Sequence, residues 1–565
     1  MTTSAQVASG SSSVGFAPAL RTYDDAIDAL NSLQSNAATI EALRKSGGRL
    51  LDFAIPEMVE YLERIGYSTS DLNRLNVIHV TGTKGKGSTS AFVDSLLRQL
   101  TPAESSSKPK VGLYTSPHMT SVRERIRING QPVSHELFTK YFWEVWDRLS
   151  ENPDRKFDLT PLRPVYFRFL TLLAFHIFLS EGVQPVILEV GIGGKYDSTN
   201  IVPKCVVAGI TQLGLDHTAI LGNTVEEIAV QKAGIFKPQA PAVCWAQQPG
   251  KALDEVKRIA TEVGVSDLQI VDVHPALRSE ETALGTNNRN AVTLGLPGAH
   301  QRTNASVALE LVNAYLDSEA GRAMFKETSH RASASADNGT SSLTPWQRKG
   351  LEDARWPGRC QTVPTARSGL GLTWYLDGAH TTDSLSVCLG WFTARQQRQS
   401  TGRANKRIFV FNCTNGRSAH ELLSSVLDTV EKSLGGQNSS STGESRYALA
   451  KDYFDEVIFT TNITFEGGGW SSELTSKLLD DKDLVNLTVQ NQLAETWKEL
   501  VPGSSTEVRI TPSIQAMHNH VVELAQKGGG VDCLVSGSLH LVGGVMAHLQ
   551  QSGCLDDSLV STVQP

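Results

Sequence analysis

A lysine set among glycines, between an apolar run and an amphipathic stretch, is the strongest chemical signal in the chain. The segment VIHVTGTKGKGSTSAFVDSLLRQL carries Gly82, Thr83, Lys84, Gly85, Lys86, Gly87 and Ser88 in succession. Glycines let a backbone curl until several N–H groups converge on one anion, and a helix that starts there adds the positive end of its dipole. Lys86 would neutralise the β/γ charge of a bound nucleotide. The spacing departs from the general GxxxxGK[ST] loop, because three residues separate Gly82 from Lys86 and Gly87 stands before Ser88. Phe92, Leu96 and Leu100, with Val93 and Leu97 beside them, then repeat at the spacing of one helix face.

Four other places put polar residues where chemistry is possible. Glu189 closes the apolar run VILEV just before GIGGKYDSTN; a carboxylate there is costly unless an ion pair or a metal holds it. Asp216-His217 precedes a stretch in which Thr224 and Glu227 match a capping box and Gly234 a stop, so 225–233 is expected as a helix with Lys232 on its last turn. By residue type alone, His217 reads as a satisfied polar group and Lys232 as a cation complementing the helix dipole. In VGLYTSPHMTSVRERIRING, Arg123, Arg125 and Arg127 alternate with Val122, Glu124, Ile126 and Ile128. A strand would turn these arginines to one face, either solvated or open to a carboxylate. Arg359 in WPGRCQ, and Asp377 and His380 in TWYLDGAHTTDS, could equally pair with an acid or cap a turn.

The elements that must position these residues are short apolar, largely β-branched or aromatic runs at 77–80, 186–190, 206–211, 374–376, 408–411, 457–460 and 533–535. Helix-like patterns separate them, so the expected class is α/β with mainly parallel sheets, in which ligands sit beyond the carboxyl ends of strands. Residues 318–350, 396–406 and 435–445 lack apolar periodicity and are expected to be solvated insertions. Residues 1–21 and 551–565 are expected as tails. The apolar stretch 165–179 is too short for a bilayer and contains Arg168 and His176.

Composition excludes less than the motifs assert. The 565 residues hold 52 Lys+Arg against 59 Asp+Glu, a net charge of −7, so a surface devoted to nucleic acid is not expected, although a local basic patch is compatible with that balance. Forty per cent apolar residues support a large core. Seven cysteines without CxxC or zinc spacing read as packing residues in a reducing compartment. The first residues contain no basic segment followed by an apolar one, so a secretory leader is not expected; Arg21 is the only basic residue before Asp24, which fits a plain tail better than a mitochondrial presequence.

The loop TGTKGKGST resembles the ATP-binding loop of the Mur ligase superfamily, and the chain from TYDDAIDALNSLQ to LVSGSLHLVGGVM resembles one branch of it, the folylpolyglutamate synthases. The resemblance implies an N-terminal P-loop ATPase domain over 22–350, a linker at 351–358 and a smaller Rossmann-like α/β domain over 359–550. It implies an ATP-dependent ligase joining L-glutamate to the γ-carboxylate of reduced folates through an acyl phosphate. Ser116 and Glu189 would then hold Mg²⁺. His217 would serve a second Mg²⁺ together with Lys232 carried as a carbamate; Gln231 stands where many relatives have Glu. Asn304, Arg359, Asp377 and His380 would contact ATP, while Asp197, Thr199 and Asn200 would lie near the substrates. His118 is left without a role, and His540 in SGSLHLVGG could equally serve packing. A monovalent cation is a further candidate cofactor. Expected partners are folate, glutamate and ATP, with no nucleic acid or membrane, in a cytoplasmic monomer with a mitochondrial pool. Dihydrofolate synthase or bifunctional activity, and a non-catalytic ATP-binding regulator or P-loop NTPase, are the competing readings.

Overall fold

The computed structural model describes residues 21–34, 53–103, 108–157, 160–278, 292–330, 342–365, 370–399, 405–413, 418–436, 446–466 and 487–553. They build two sheets. The first has eight strands in the spatial order Gln131–Pro132, Ile126–Ile128, Gly112–Tyr114, Val186–Glu189, Ile78–Thr81, Val207–Ile210, Ala242–Trp245 and Leu268–Val271. The last six run parallel, and the first two add an antiparallel ribbon at one edge. The second sheet orders Glu507–Thr511, Glu456–Thr460, Lys406–Phe411, Val531–Ser536, Leu372–Leu376 and Gln361–Pro364, all parallel except the last.

Alternate residues of each strand feed opposite cores, as the pleat requires. In the first sheet Leu113 and Ile187 point to one core while Tyr114 and Leu188 point to the other. The helix Tyr166–Ser180 is buried on nearly every side, which explains its continuous apolar reading; among the described residues no helix is long and apolar enough to cross a membrane. Six cysteines are buried and unbridged, in agreement with packing roles, and Cys554 lies outside the described residues.

All seven expected strands form, with ends shifted by up to two residues. Four expectations need correction. The arginine segment is not one strand: Val122–Arg125 is a 3-10 turn, and the strand begins at Ile126. Arg123, Arg125 and Arg127 are all buried, and Arg123 and Arg127 spend donors on the carbonyls of Val133 and Glu124, so no solvated arginine face exists there. Next, 318–350 is not wholly a solvated loop, because it contains helices Glu319–Met324 and Pro345–Asp353, with 331–341 outside the described residues. Gly350 packs against Leu96 of the helix after the glycine loop so closely that a Cβ would meet its Cα at 2.8 Å. Short helices with caps at Ser318 and Thr344 bury only a few residues each, too few for periodicity to reveal. Third, the helix Pro345–Asp353 runs into the expected linker 351–358. Last, helix Thr382–Gln399 continues into the expected loop 396–406, and 437–445 of the expected loop 435–445 lies outside the described residues.

Candidate active site

Strand Ile78–Thr81 sits at the centre of the first sheet, and its carboxyl end delivers the glycine loop directly into helix Lys86–Leu97. Two glycines are dictated by close approach and by backbone angle together. Gly82, at φ +151°, lies where a Cβ would come within 1.9 Å of Thr211 Oγ1, and Gly85, at φ +86°, where it would come within 2.2 Å of Asn304 Oδ1. Thr211 Oγ1 donates to the carbonyl of Lys84 at 2.6 Å, while the N–H groups of Thr83 and Lys84 bond the carbonyl of Gln212. The loop is therefore fixed from the neighbouring strand before any ligand arrives, which reduces the ordering cost of binding.

Lys86 Nζ and Lys232 Nζ donate to the same acceptor, the carbonyl of Gly82, at 2.9 and 2.8 Å, so the two ammonium groups are no more than 5.7 Å apart. Lys232, 3% exposed, is held well below the usual lysine range by burial first and by the charge of Lys86 second. Lys86 is also lowered by desolvation, against the pull of Glu189. A neutral amine is favoured by both effects.

Glu189 ends its strand 4% exposed, and its Oε2 accepts the N–H of Ser116 at 3.1 Å. Burial raises its pKa above the usual carboxylate range, opposed by Lys86, that hydrogen bond, Arg359 and Arg125 in that order. Gly87 separates Glu189 from Trp356: a Cβ there would lie 3.5 Å from the carboxylate and 3.2 Å from the indole Nε1. Among the described residues no three His, Cys, Asp or Glu side chains gather as a metal cage. A buried carboxylate with one hydrogen bond, taken from the backbone of a serine, is chemically suited to a hard divalent cation. His217, in the left-handed region at φ +51° and half-exposed, is held below the usual histidine range by desolvation first; the charges of Lys86, Lys232 and Lys84 act in the same direction and Asp216 against them.

Asp197, Thr199 and Asn200 are engaged by their own loop and by its neighbours, Thr199 Oγ1 lying 2.8 Å from His79 Nε2 of the central strand. Asp197 accepts from the backbone of Gly191, Ile192 and Thr199 and from the Thr199 hydroxyl, and Asn200 donates to the carbonyls of Lys195 and Gly234. They shape the glycine-rich rim beside Glu189.

The second sheet brings its own carboxyl ends to the same place. Asp377, 8% exposed, accepts the N–H groups of Cys360 and Ala379 at 2.7 and 2.9 Å and so ties Arg359 to the strand-end turn. Lys84 Nζ donates to Thr381 Oγ1 at 3.2 Å and lies 3.6 Å from Asp216, while the charge of His380 also reaches Asp216. Gly543 of helix Leu539–Gln551 is a packing glycine, since a Cβ would stand 2.0 Å from the carbonyl of Met119 beside the TSPH turn. Arg125 bonds His118 Nδ1 at 2.9 Å. His540 is an exposed residue, and desolvation first and the charge of Arg125 second hold it below the usual histidine range.

The sequence-based reading missed Thr211, Trp356, Asp216 as a partner of Lys84, and Thr381. Only Asp216 had a signal, its place in the DH pair; the others become visible when strands and loops are juxtaposed.

No family model matches the chain. It is 41% identical over 538 residues to the folylpolyglutamate synthase of Candida albicans, covering 94% of this chain and 96% of that protein. Among solved structures it is similar to Mycobacterium tuberculosis folylpolyglutamate synthase complexed with ADP, with TM-score 0.62 and 21% identity across 93% of this chain and 99% of the other. It is also similar to a bifunctional folylpolyglutamate synthase/dihydrofolate synthase from Yersinia pestis complexed with AMPPNP and a Mn ion, with TM-score 0.54 and 22% identity across 87% and 93%.

Proposed function

The chain belongs to the folylpolyglutamate synthase family, and from that premise we propose how its residues divide the work of an ATP-dependent ligase of folate polyglutamylation. The observation that carries the proposal is a buried carboxylate beside the phosphate loop, Glu189 next to Gly87, on which the strongest opposing charge is that of the loop lysine Lys86.

A carboxylate and an amine do not condense in neutral water, because oxide is a poor leaving group and the amine is mostly protonated. The γ-carboxylate of the folate attacks the γ-phosphorus of ATP, ADP departs, and an acyl phosphate results. The amino group of L-glutamate, once deprotonated, attacks the acyl carbon and phosphate leaves. Charge on the transferring phosphoryl group is what the site must stabilise. The loop N–H groups hold the phosphates, Lys86 swings from the Gly82 carbonyl to the β/γ oxygens, and Arg359 approaches from the second sheet. Ser116 and Glu189 would hold a divalent ion and His217 a second, whose chemistry is charge neutralisation on the phosphates. Lys232, buried and poised toward its neutral form, suits reaction with CO₂ to a carbamate, which would turn a cation into an anion beside His217. Arg125, which bonds His118 and whose charge reaches His540, would receive a carboxylate of glutamate. Domain closure through Lys84 and Thr381 would exclude water from the acyl phosphate. We assign 22–350 and 359–550 to the two closing units and a monomer to the working state, in the cytoplasm with a mitochondrial pool.

The test is to incubate the protein with MgATP, labelled glutamate and tetrahydrofolate carrying ¹⁸O in its γ-carboxylate. Mass shifts of one glutamate per cycle and appearance of ¹⁸O in phosphate are expected. No incorporation with tetrahydrofolate or with dihydropteroate would overturn the reading, and incorporation without ¹⁸O transfer would remove the acyl phosphate. Incorporation with dihydropteroate alone would favour a dihydrofolate synthase.

A further inference from the structure

A cleft of about 740 Å³ opens between the segment leading into helix Gln301–Leu316 and the face of helix Thr382–Gln399. Its described lining contains Arg302, Arg355, Arg359 and Arg395 together with His300, and no aspartate or glutamate. In a chain with a net charge of −7 this is a local inversion of sign. Arg359 and Arg355 donate to backbone carbonyls, whereas Arg302 and Arg395 form no ion pair with any described acid. Trp356 and Trp391 also line the cleft. Two of its lining residues reach toward the phosphate loop, since Trp356 abuts Gly87 and the charge of Arg359 acts on Glu189.

We infer that this cleft binds the γ-linked oligoglutamate tail of a growing acceptor, with Arg302 and Arg395 facing its free α-carboxylates. The inference rests on the ligase reading above. A nucleotide in the phosphate loop carries its anionic charge at the loop itself, and the ribose and base projecting from it are neutral, so they would leave the outer arginines without a counter-charge. A γ-linked tail presents one free α-carboxylate per residue, separated by methylene pairs that the two indoles can cover. Positive charge on both sides of the cleft would hold the product near the centre between cycles and favour renewed elongation of the same molecule.

The experiment compares the parent with an Arg302→Gln/Arg395→Gln double variant, using monoglutamyl and pentaglutamyl tetrahydrofolate as acceptors and titrating ATP separately. The expected result is a KM for the pentaglutamyl acceptor raised about tenfold, the equivalent of ~1.4 kcal/mol, with KM for the monoglutamyl acceptor and for ATP unchanged. The Arg302→Lys/Arg395→Lys variant should recover most of the loss, and added salt should erode the parent's preference for the long tail. Equal effects on both acceptors, or a matching rise in KM for ATP, would overturn the inference, the latter by giving the cleft to the nucleotide. If the parent adds glutamate to neither acceptor, the ligase reading itself fails. If the parent elongates both and the double variant shows no length-dependent change, only the tail site is lost.

Discussion

Two buried glutamates occupy opposite ends of parallel strands. Glu189 stands at the carboxyl end of Val186–Glu189 in the first sheet, and Glu456 at the amino end of Glu456–Thr460 in the second. Glu456 is fully buried, and its Oε1 accepts from Arg509 Nε and His520 Nε2, both at 2.7 Å, with Lys406 Nζ 3.6 Å from Oε2. Glu189 takes one backbone N–H and feels Lys86 and Arg359 as charges, with no ion-pair contact to either among the described residues. The cationic partners of Glu456 are already in contact with it, so that carboxylate organises the fold. Glu189 keeps lone pairs and nearby positive charge in reserve for something that arrives.

The largest effect should come from removing the charge opposite Glu189. Lys86→Ala is expected to lower kcat/KM for glutamate incorporation by about 10³-fold or more, as loss of a charge stabilising phosphoryl transfer does, while the melting temperature stays near that of the parent. Retention of activity within about tenfold would take Lys86 out of the reacting centre.

Exchanging each glutamate for glutamine should separate the two regions. Glu456→Gln leaves Arg509 and His520 around an uncharged amide and is expected to cost ~3–5 kcal/mol of stability, with KM values of the folded protein unchanged. Glu189→Gln is expected to lower kcat/KM about 100-fold through weakened divalent-ion binding and to leave stability equal or higher. The sign follows from its raised pKa. In chelator and without nucleotide, the charged Glu189 destabilises the native state above its native pKa, and this cost fades as pH falls through that pKa toward the ordinary glutamate value. The stability advantage of Glu189→Gln should therefore be full above the raised native pKa and vanish once the pH is below the ordinary glutamate range. Equal loss of stability in both variants would erase the contrast drawn between them.

The same contrast explains what was legible in the sequence. Strand, glycine loop and helix around Lys86 are consecutive in the chain, so their order could be read directly, and helix Val225–Ala233 carries its own start and stop residues. Glu189 was conspicuous because a carboxylate interrupts an apolar run. Glu456 was not, since it begins its strand and its partners come from 406, 509 and 520, which only strand pairing and the packing of helix Ile514–Gln526 bring together. Thr381 and Trp356 were hidden for the same reason. The arginines at 123–127 misled because alternation reads as a strand, whereas Ser121 and Glu124 form a capping box that starts a 3-10 turn. That local capping outweighed the two-residue period.

A smaller effect belongs to Lys232. Lys232→Ala is expected to lower kcat/KM 10- to 100-fold, the range typical when a group supporting a bound metal is lost, and short carboxylic acids should restore part of it by filling the space of a carbamate. Full activity in the variant without additive would exclude an essential carbamate. Substitution of Glu456, remote from Gly82, should show no rescue by the same acids.

The smallest effect tests whether the two sheets cooperate through charge at the loop itself. Lys84 is about one-third exposed, and its contacts to Asp216 and Thr381 are a long ion pair and a single hydrogen bond. Exposed pairs of this kind contribute ~0.2–1 kcal/mol, so Lys84→Met should raise KM for ATP only about two- to fivefold. Thr381→Val, which removes the same bond from the other side, should act alike, and the double variant should be no worse than either alone if the bond is the shared cause. Additive losses would instead mean that Lys84 contacts the nucleotide independently of the second sheet. The closing bond would then be a by-product of packing, and reserve charge would be a property of the first sheet alone.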